Sequence, residues 1–333
     1  MAITRYRERC KNAISTVCRV QYRNFSPSNF FFSRDDSVIP VLIVGAGPVG
    51  LYLSALLTKL GVRCSILEKN ASFSRHPQAH FINNRSMEIF CKMDGLAEEI
   101  KRLQPPVDLW RNFIYCTSLT GQILGSVDHM QGQDFENPVS PTSVAHFSQY
   151  KLTGLLLKKL QDLNFRSYKP EDIHPSNGDI LFGRELLMGH ECVSVTANNT
   201  FVDVKTVSEN NGKVSERNFK CNILVGTDGA GSSVRKLARV QMSGEKNLQN
   251  LVSVHFFSRD LGQYLLREKP GMLYFVFNSE AIGVFVAHDL EEGEFILQVP
   301  YYPPQQSLDD FCPKGIDVQA VDKQVGWSRA SRH

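Results

Sequence analysis

The stretch Val41-Leu42-Ile43-Val44-Gly45-Ala46-Gly47-Pro48-Val49-Gly50, running on into Leu51-Tyr52-Leu53-Ser54-Ala55-Leu56-Leu57, constrains this chain more than any other. A β-branched apolar run stops at a glycine-rich turn, and an apolar helix opens directly from it. Gly45 allows the tight turn, Gly47 lets the backbone approach a pyrophosphate, and Gly50 lets the helix pack closely on the strand. The helix N-terminus then turns free N–H groups toward the phosphates. A second strand-like run, Arg63-Cys64-Ser65-Ile66-Leu67, ends at Glu68, eighteen residues beyond Gly50. A carboxylate at that spacing accepts the hydroxyls of an adenosine ribose. The glycine turn alone is a weak signal, but strand, helix, strand and terminal acid together predict a dinucleotide site.

The 333 residues suffice for a large core and two domains or lobes, and no uninterrupted apolar run is long enough to span a bilayer. The net charge of +3 hides an asymmetry: residues 1–34 carry seven basic side chains against one acid, Glu8. The rest of the chain is net acidic, so nothing in its charge favours nucleic-acid binding. Residues 1–35, rich in arginine and serine and poor in acid, have the composition of an organellar transit peptide. Arg23-Asn24-Phe25-Ser26 is similar to a mitochondrial processing site, so a mitochondrial address is expected, with a plastid address as the alternative. The eight cysteines form no CxxC pair. Cys64 and Cys221 fall inside apolar strands as small buried hydrophobes, so neither a disulfide framework nor a zinc site is expected.

Beyond the opening unit, Pro77 blocks a helix before it, and helical spacing from Asn84 through Met87, Phe90 and Cys91 predicts a helix ending near Gly95. Strand-like pieces follow at 111–118 and 122–127, then a helix from Gln149 to Leu163 with Leu152, Leu155, Leu156 and Leu160 on one face. Residues 190–197 and 201–207 alternate in period two around Asn198-Asn199 and predict a hairpin. The strand 218–225 runs into Gly226-Thr227-Asp228-Gly229 and a short helix, Val234 to Leu237. Residues 250–300 read as strands of a separate antiparallel sheet. His76, His80, His255 and His288 lack metal-ligand spacing and are expected to be structural or solvent-facing.

Three motifs in this order make the chain resemble the single-component, FAD-dependent aromatic hydroxylases, the phenol hydroxylase and p-hydroxybenzoate hydroxylase group. They are Gly45–Gly50 with Glu68, the segment from His76 through Arg85 to Phe90, and Gly226-Thr227-Asp228-Gly229. The resemblance covers roughly residues 40–305. It implies an α/β fold, with a Rossmann-type FAD-binding domain assembled from discontinuous segments and an adjoining, mostly antiparallel substrate-domain sheet. It implies FAD held by Gly45, Ala46, Gly47, Pro48, Val49, Gly50, Glu68, Lys69, Arg85, Gln149, Asp228 and Gly229, with Asp228-Gly229 linked also to NAD(P)H. Arg85 is equally placed to pair with Glu88 on its own helix, and Gln149 to be a solvated helix start.

The function implied is that of an NAD(P)H-consuming monooxygenase that uses O₂ to hydroxylate a small phenolic or quinone-like aromatic. The protein positions ring and flavin and excludes water, so no catalytic side chain is named. The alternatives are a flavin oxidoreductase without oxygen insertion and a non-catalytic FAD-binding fragment. The implied organisation is a transit-like tail at 1–35, FAD-binding segments at 38–105 and 148–245, substrate-domain segments at 106–147 and 246–305, and an irregular tail at 306–333. Two departures stand out. Where relatives carry an arginine before the alanine of the second motif, this chain has Gln78, and the family's later Gly-Asp flavin motif is not found, so the sequence reads as a C-terminally truncated version.

Overall fold

The structure is a computed structural model that describes residues 38–130, 140–172, 183–210, 212–245, 248–279, 282–307, 319–324 and 326–329. The transit-like reading of residues 1–35 lies outside the described residues.

Strand β1 (Val38–Val44) is buried at every position, as a continuous apolar run must be when neighbours cover it on both sides. Its Pro40 lies ahead of the point, Val41, at which pairing with the next strand begins, so the missing N–H breaks no bond there. Helix α1 (Pro48–Lys59) follows, then β2 (Cys64–Glu68), parallel to β1 in the register Val41↔Cys64 to Val44↔Leu67. The chain then passes through β3 (Phe81–Ile82), α2 (Asn84–Phe90), α3 (Leu96–Leu103), α4 (Val107–Trp110), β4 (Asn112–Cys116) and β5 (Ile123–Asp128). Strand β6 (Ala145–His146) pairs back with β3 and leads into α5 (Gln149–Asp162).

Next come β7 (Arg166–Tyr168), β8 (Glu185–Met188), β9 (Glu191–Ala197), β10 (Val202–Asn210), β11 (Lys213–Gly226) and the short α6 (Ser233–Leu237). The remainder is β12 (Asn250–Phe257), α7 (Arg259–Glu268), β13 (Leu273–Phe277), β14 (Ile282–Asp289), β15 (Glu294–Tyr301), β16 (Gln319–Gln324) and β17 (Gly326–Arg329).

Two large sheets result. The first has the order β7-β8-β2-β1-β11-β10-β9, parallel from β7 to β11 and antiparallel over β10 and β9. One face buries Ile43 and Ile66 under Leu51 and Ala55 of α1 and Leu152, Leu156 and Leu160 of α5. The other buries Leu42, Leu67, Leu187 and Phe219, with Val234 and Leu237 of α6 packed against them. The second sheet has the order β17-β16-β12-β15-β14-β13-β4-β5, antiparallel except for the β13–β4 pair. Its core joins Trp110, Leu265, Tyr274, Phe285 and Phe295. The first sheet is therefore assembled from segments on both sides of an excursion into the second.

Three expectations are corrected. The helix begun at Asn84 stops at Phe90, and α3 starts afresh after Gly95, which takes the left-handed φ of +76°. Helix α7 interrupts the strands of 250–300; Ser258 caps it by accepting from the Leu261 N–H, and Leu261 and Leu265, one turn apart, join the second core. The segment 306–333, expected to be irregular, contains β16 and β17, and β16 pairs with β12 through Leu251↔Val321.

Candidate functional site

The end of β1 builds a tight turn that only small residues permit. Gly45 has φ +106°, and a Cβ there would lie 2.7 Å from the Thr227 carbonyl. At Gly50 a Cβ would lie 2.0 Å from the Gly45 oxygen, so α1 can reach the turn only because Gly50 has no side chain. Thr227, which follows β11, locks the turn: its Oγ1 lies within donating distance of both the Val44 oxygen (3.0 Å) and the Gly45 oxygen (2.8 Å). The place a Cβ of Gly47 would occupy is open space. Helix α1 begins there with no side chain capping it and no acid in its first turn, so the positive end of its dipole is left free for an anion. These features fit a pyrophosphate.

Glu68 closes the opposite side. Its Oε2 accepts the Ala46 N–H at 2.9 Å, and its Oε1 accepts the Asn70 N–H at 2.9 Å and the Asn70 Nδ2 at 2.7 Å. The carboxylate is thereby fixed at the end of β2 with lone pairs to spare for ribose hydroxyls. A cleft opens between this corner, the loop 70–78 and the first turn of α5. Ala46, Gly47, Glu68 and Gln149 line it together, with Asn70, Phe73, His76, Gln78, Tyr150 and Thr153. Gln149 reaches across it, its Nε2 donating to Gln78 Oε1 at 3.1 Å.

Other predicted residues lie apart from the lining. Lys69 is exposed beside Glu68, and Val49 is exposed on α1 with Pro48 before it. Arg85, 79% exposed, pairs with Glu88 at 2.9 Å, and that pairing with the Ser140 hydrogen bond holds the Glu88 carboxyl below its ordinary range. The carboxylate of Asp228 is turned to its own helix: Oδ2 accepts the Ser233 and Val234 N–H groups at 2.6 and 3.1 Å, and Oδ1 accepts Ser232 Oγ at 2.5 Å. Gly229 follows it with φ +79°.

Sequence reasoning missed Asn70, Tyr150 and the joining of the histidines. His80, His146 and His288 lie with ring centroids 5.1 to 6.4 Å apart. Burial holds all three neutral, pushing His80 down to about 4, His146 to about 3 and His288 to about 2. Among the described residues no group of histidines, cysteines or acids is placed to hold a metal, and no helix is long and apolar enough to cross a membrane. The residues leading into α5 bind the second sheet one after another. His146 Nε2 lies 3.0 Å from the Ala287 oxygen and Ser148 Oγ 2.7 Å from His288 Nδ1. Tyr150 donates to Glu294 at 2.7 Å and Lys151 to Asp289 at 3.1 Å. Farther along that sheet, Phe113, Tyr115, Phe275 and Phe277 form a run of ring contacts, with Tyr115 and Phe275 stacked at 5.0 Å.

A family model described as FAD binding domain matches residues 38–179 and 180–331. The chain is 29% identical over 242 residues to 2,4-dichlorophenol 6-monooxygenase of Delftia acidovorans, which covers 71% of this chain and 37% of that protein. It is 28% identical over 312 residues to a putative polyketide hydroxylase of Streptomyces coelicolor, covering 88% of this chain and 45% of the relative. The chain thus spans less than half the length of these relatives. Among solved structures, a flavin-dependent monooxygenase, PieE, in complex with FAD and substrate aligns with a TM-score of 0.67 at 23% identity, over 81% of this chain and 44% of that one. That likeness shows the shared fold.

Proposed function

The chain belongs to the FAD-binding-domain family, and from that premise we propose that it works as an NAD(P)H-consuming monooxygenase that adds one oxygen atom from O₂ to a phenolic or quinone-like aromatic molecule. The observation that carries this reading is the convergence of Ala46, Gly47, Glu68 and Gln149 on one cleft beside a second sheet bearing stacked aromatic side chains. The names of the relatives, hydroxylases of phenols and polyketides, support the substrate class.

FAD, when bound, supplies the redox chemistry with NAD(P)H and O₂. The chain's part is to bind and orient. The open first turn of α1 and the backbone at Gly47 receive the pyrophosphate, and Glu68 receives the ribose hydroxyls. Gln149 and Gln78 hold the two banks of the cleft together. Trp110, Tyr274, Phe285 and Phe295 are buried together in the core of the second sheet, which α5 joins through Tyr150 and Glu294.

The test is titration of the purified chain with FAD, followed by absorption at about 450 nm, a property of oxidised flavin, and then NAD(P)H oxidation with phenolic substrates and analysis of products. Retained flavin with oxygenated product is expected. Flavin-dependent NAD(P)H oxidation with no oxygenated product would establish the plain oxidoreductase instead, and failure to bind FAD would overturn the reading.

The same proposal extends to location: the basic segment 1–35 directs import into an organelle, the mitochondrion first and the plastid second. Fused to a fluorescent reporter, residues 1–40 should carry it out of the cytosol, and a diffuse cytosolic signal would refute the address.

A further inference from the structure

Glu294 opens β15 in the second sheet, and its side chain is only 6% exposed. Among the described residues no lysine or arginine pairs with it, and both its oxygens accept from other side chains. Oε2 accepts the Tyr150 hydroxyl at 2.7 Å, and Oε1 accepts the His255 Nε2–H at 3.1 Å. Each partner leads to the cleft by a different route. Tyr150 lines it directly from the first turn of α5. The ring of His255 meets the ring of His76 edge-on at 4.8 Å, and His76 lines the cleft from the loop after β2. One buried carboxylate of the second sheet is therefore linked to two parts of the cofactor cleft, directly to Tyr150 and through His255 to His76, which lie more than seventy residues apart in the chain.

A buried carboxylate is costly unless its hydrogen bonds are satisfied, and once satisfied it fixes its partners in one geometry. Burial and the neighbouring Glu294 push the Tyr150 phenol up, so it stays a donor at any physiological pH. The neighbouring links, Ser148 to His288 and Lys151 to Asp289, bind the start of α5 to the same hairpin, but neither Ser148 nor Lys151 lines the cleft. Glu294 alone among these acceptors reaches both banks.

We propose that Glu294 is a positioning residue for the FAD cleft: through Tyr150 and through His255 and His76 it sets the width of the cleft from the second sheet, so that cofactor affinity depends on a carboxylate outside every nucleotide-binding motif. The inference rests on the FAD reading of that cleft. It also makes the second sheet part of the cofactor site, because a shift of β15 moves Tyr150.

The test is FAD affinity of the full chain, by titration of apo-protein at a temperature well below unfolding, for wild type, E294L, E294Q, Y150F, the double variant E294L/Y150F, and I114A as a control. Ile114 lies in the core of the same sheet on β4, separated from β15 by β13 and β14, and is not among the residues that line the cleft. E294L should weaken FAD binding about tenfold, the loss expected from breaking a hydrogen bond to a charged group. Y150F should weaken it severalfold, and adding Y150F to E294L should change nothing further. E294Q, whose amide can accept from Tyr150 and donate to the other tautomer of His255, should stay close to wild type. I114A should lower the melting temperature and leave FAD affinity unchanged.

Unchanged affinity in a folded E294L, multiplied losses in the double variant, or an equal loss in I114A would each overturn the proposal. Should E294L not fold, the pair Y150F and E294Q decides: a loss in the first with none in the second supports it, and any other pattern refutes it. A wild-type chain that does not bind FAD would defeat the reading of the cleft, and this inference with it. A wild type that binds with variants that bind equally well would defeat this inference alone.

Discussion

The backbone N–H of Ala46 donates to Glu68 Oε2 at 2.9 Å, so the acid at the end of β2 holds the glycine turn in place. One carboxylate thus has two duties, ordering the turn and receiving the ribose. Glu68→Ala should weaken FAD binding by at least about tenfold, since charge-assisted hydrogen bonds contribute about 1.5–3 kcal/mol each. Glu88→Ala, which removes the partner of Arg85 and of Ser140 away from the cleft lining, should leave affinity unchanged. Titration of the two apo-proteins with FAD makes the comparison, and equal affinities would remove Glu68 from the site.

Gly47 and Gly50 should separate binding from stability. A methyl at Gly50 meets the Gly45 oxygen at 2.0 Å, so Gly50→Ala must push α1 off the turn. A loss of about 2 kcal/mol or more is expected, the scale of overpacking a tight site. A methyl at Gly47 meets nothing within 4 Å and the φ there, −69°, suits alanine. Gly47→Ala should fold with nearly wild-type stability yet bind FAD poorly, because the methyl fills the space of the pyrophosphate. Urea denaturation set beside FAD titration reads both quantities.

Acid should loosen the seam between α5 and the second sheet. His80, His146 and His288 titrate near the ordinary 6.5 when unfolded, whereas burial in the folded chain holds them at about 4, about 3 and about 2. The unfolded state binds protons that the folded state refuses between those limits. Stability is therefore complete above about pH 6.5 and is lost as the pH falls toward the folded values. Each imidazole kept neutral costs about 1.4 kcal/mol per pH unit in that window. Urea midpoints measured from pH 7.5 down to 4.5 should fall steeply. His146→Phe, which keeps a ring against Trp110, should flatten the slope whatever it does to the midpoint at neutral pH. An unaltered slope would exclude His146 from the effect.

What could be read from the sequence was what the chain holds locally. The run Val41 to Gly50 and Glu68 fall within one strand–helix–strand unit, where spacing alone dictates the turn. Arg85 shows the limit of a motif: its partner Glu88 lies three residues on along the same helix, and the ion pair forms there. Asp228 repeats the lesson, since an acid before Ser232-Ser233 is also a helix cap. Tyr150 and Glu294 stand 144 residues apart and follow no period, so only the packing of α5 on β15 brings them together. The histidines likewise come from β6, β14 and the loop before β3, and no spacing connects them.

The Thr227 lock on Gly45 has a consequence in time. The hydroxyl that fixes the phosphate turn belongs to a residue 182 positions farther along the chain. At a synthesis rate of about 5–20 residues per second, the ribosome needs roughly 10–40 s to travel from one to the other. Throughout that interval β1 has neither β11 beside it nor Thr227 behind its turn, and its apolar run is open to wrong pairings. Parallel pairing across so long a loop is intrinsically slow. The nascent chain therefore carries one edge of a continuous apolar strand unpaired throughout that interval, which gives chaperones a reason to hold β1.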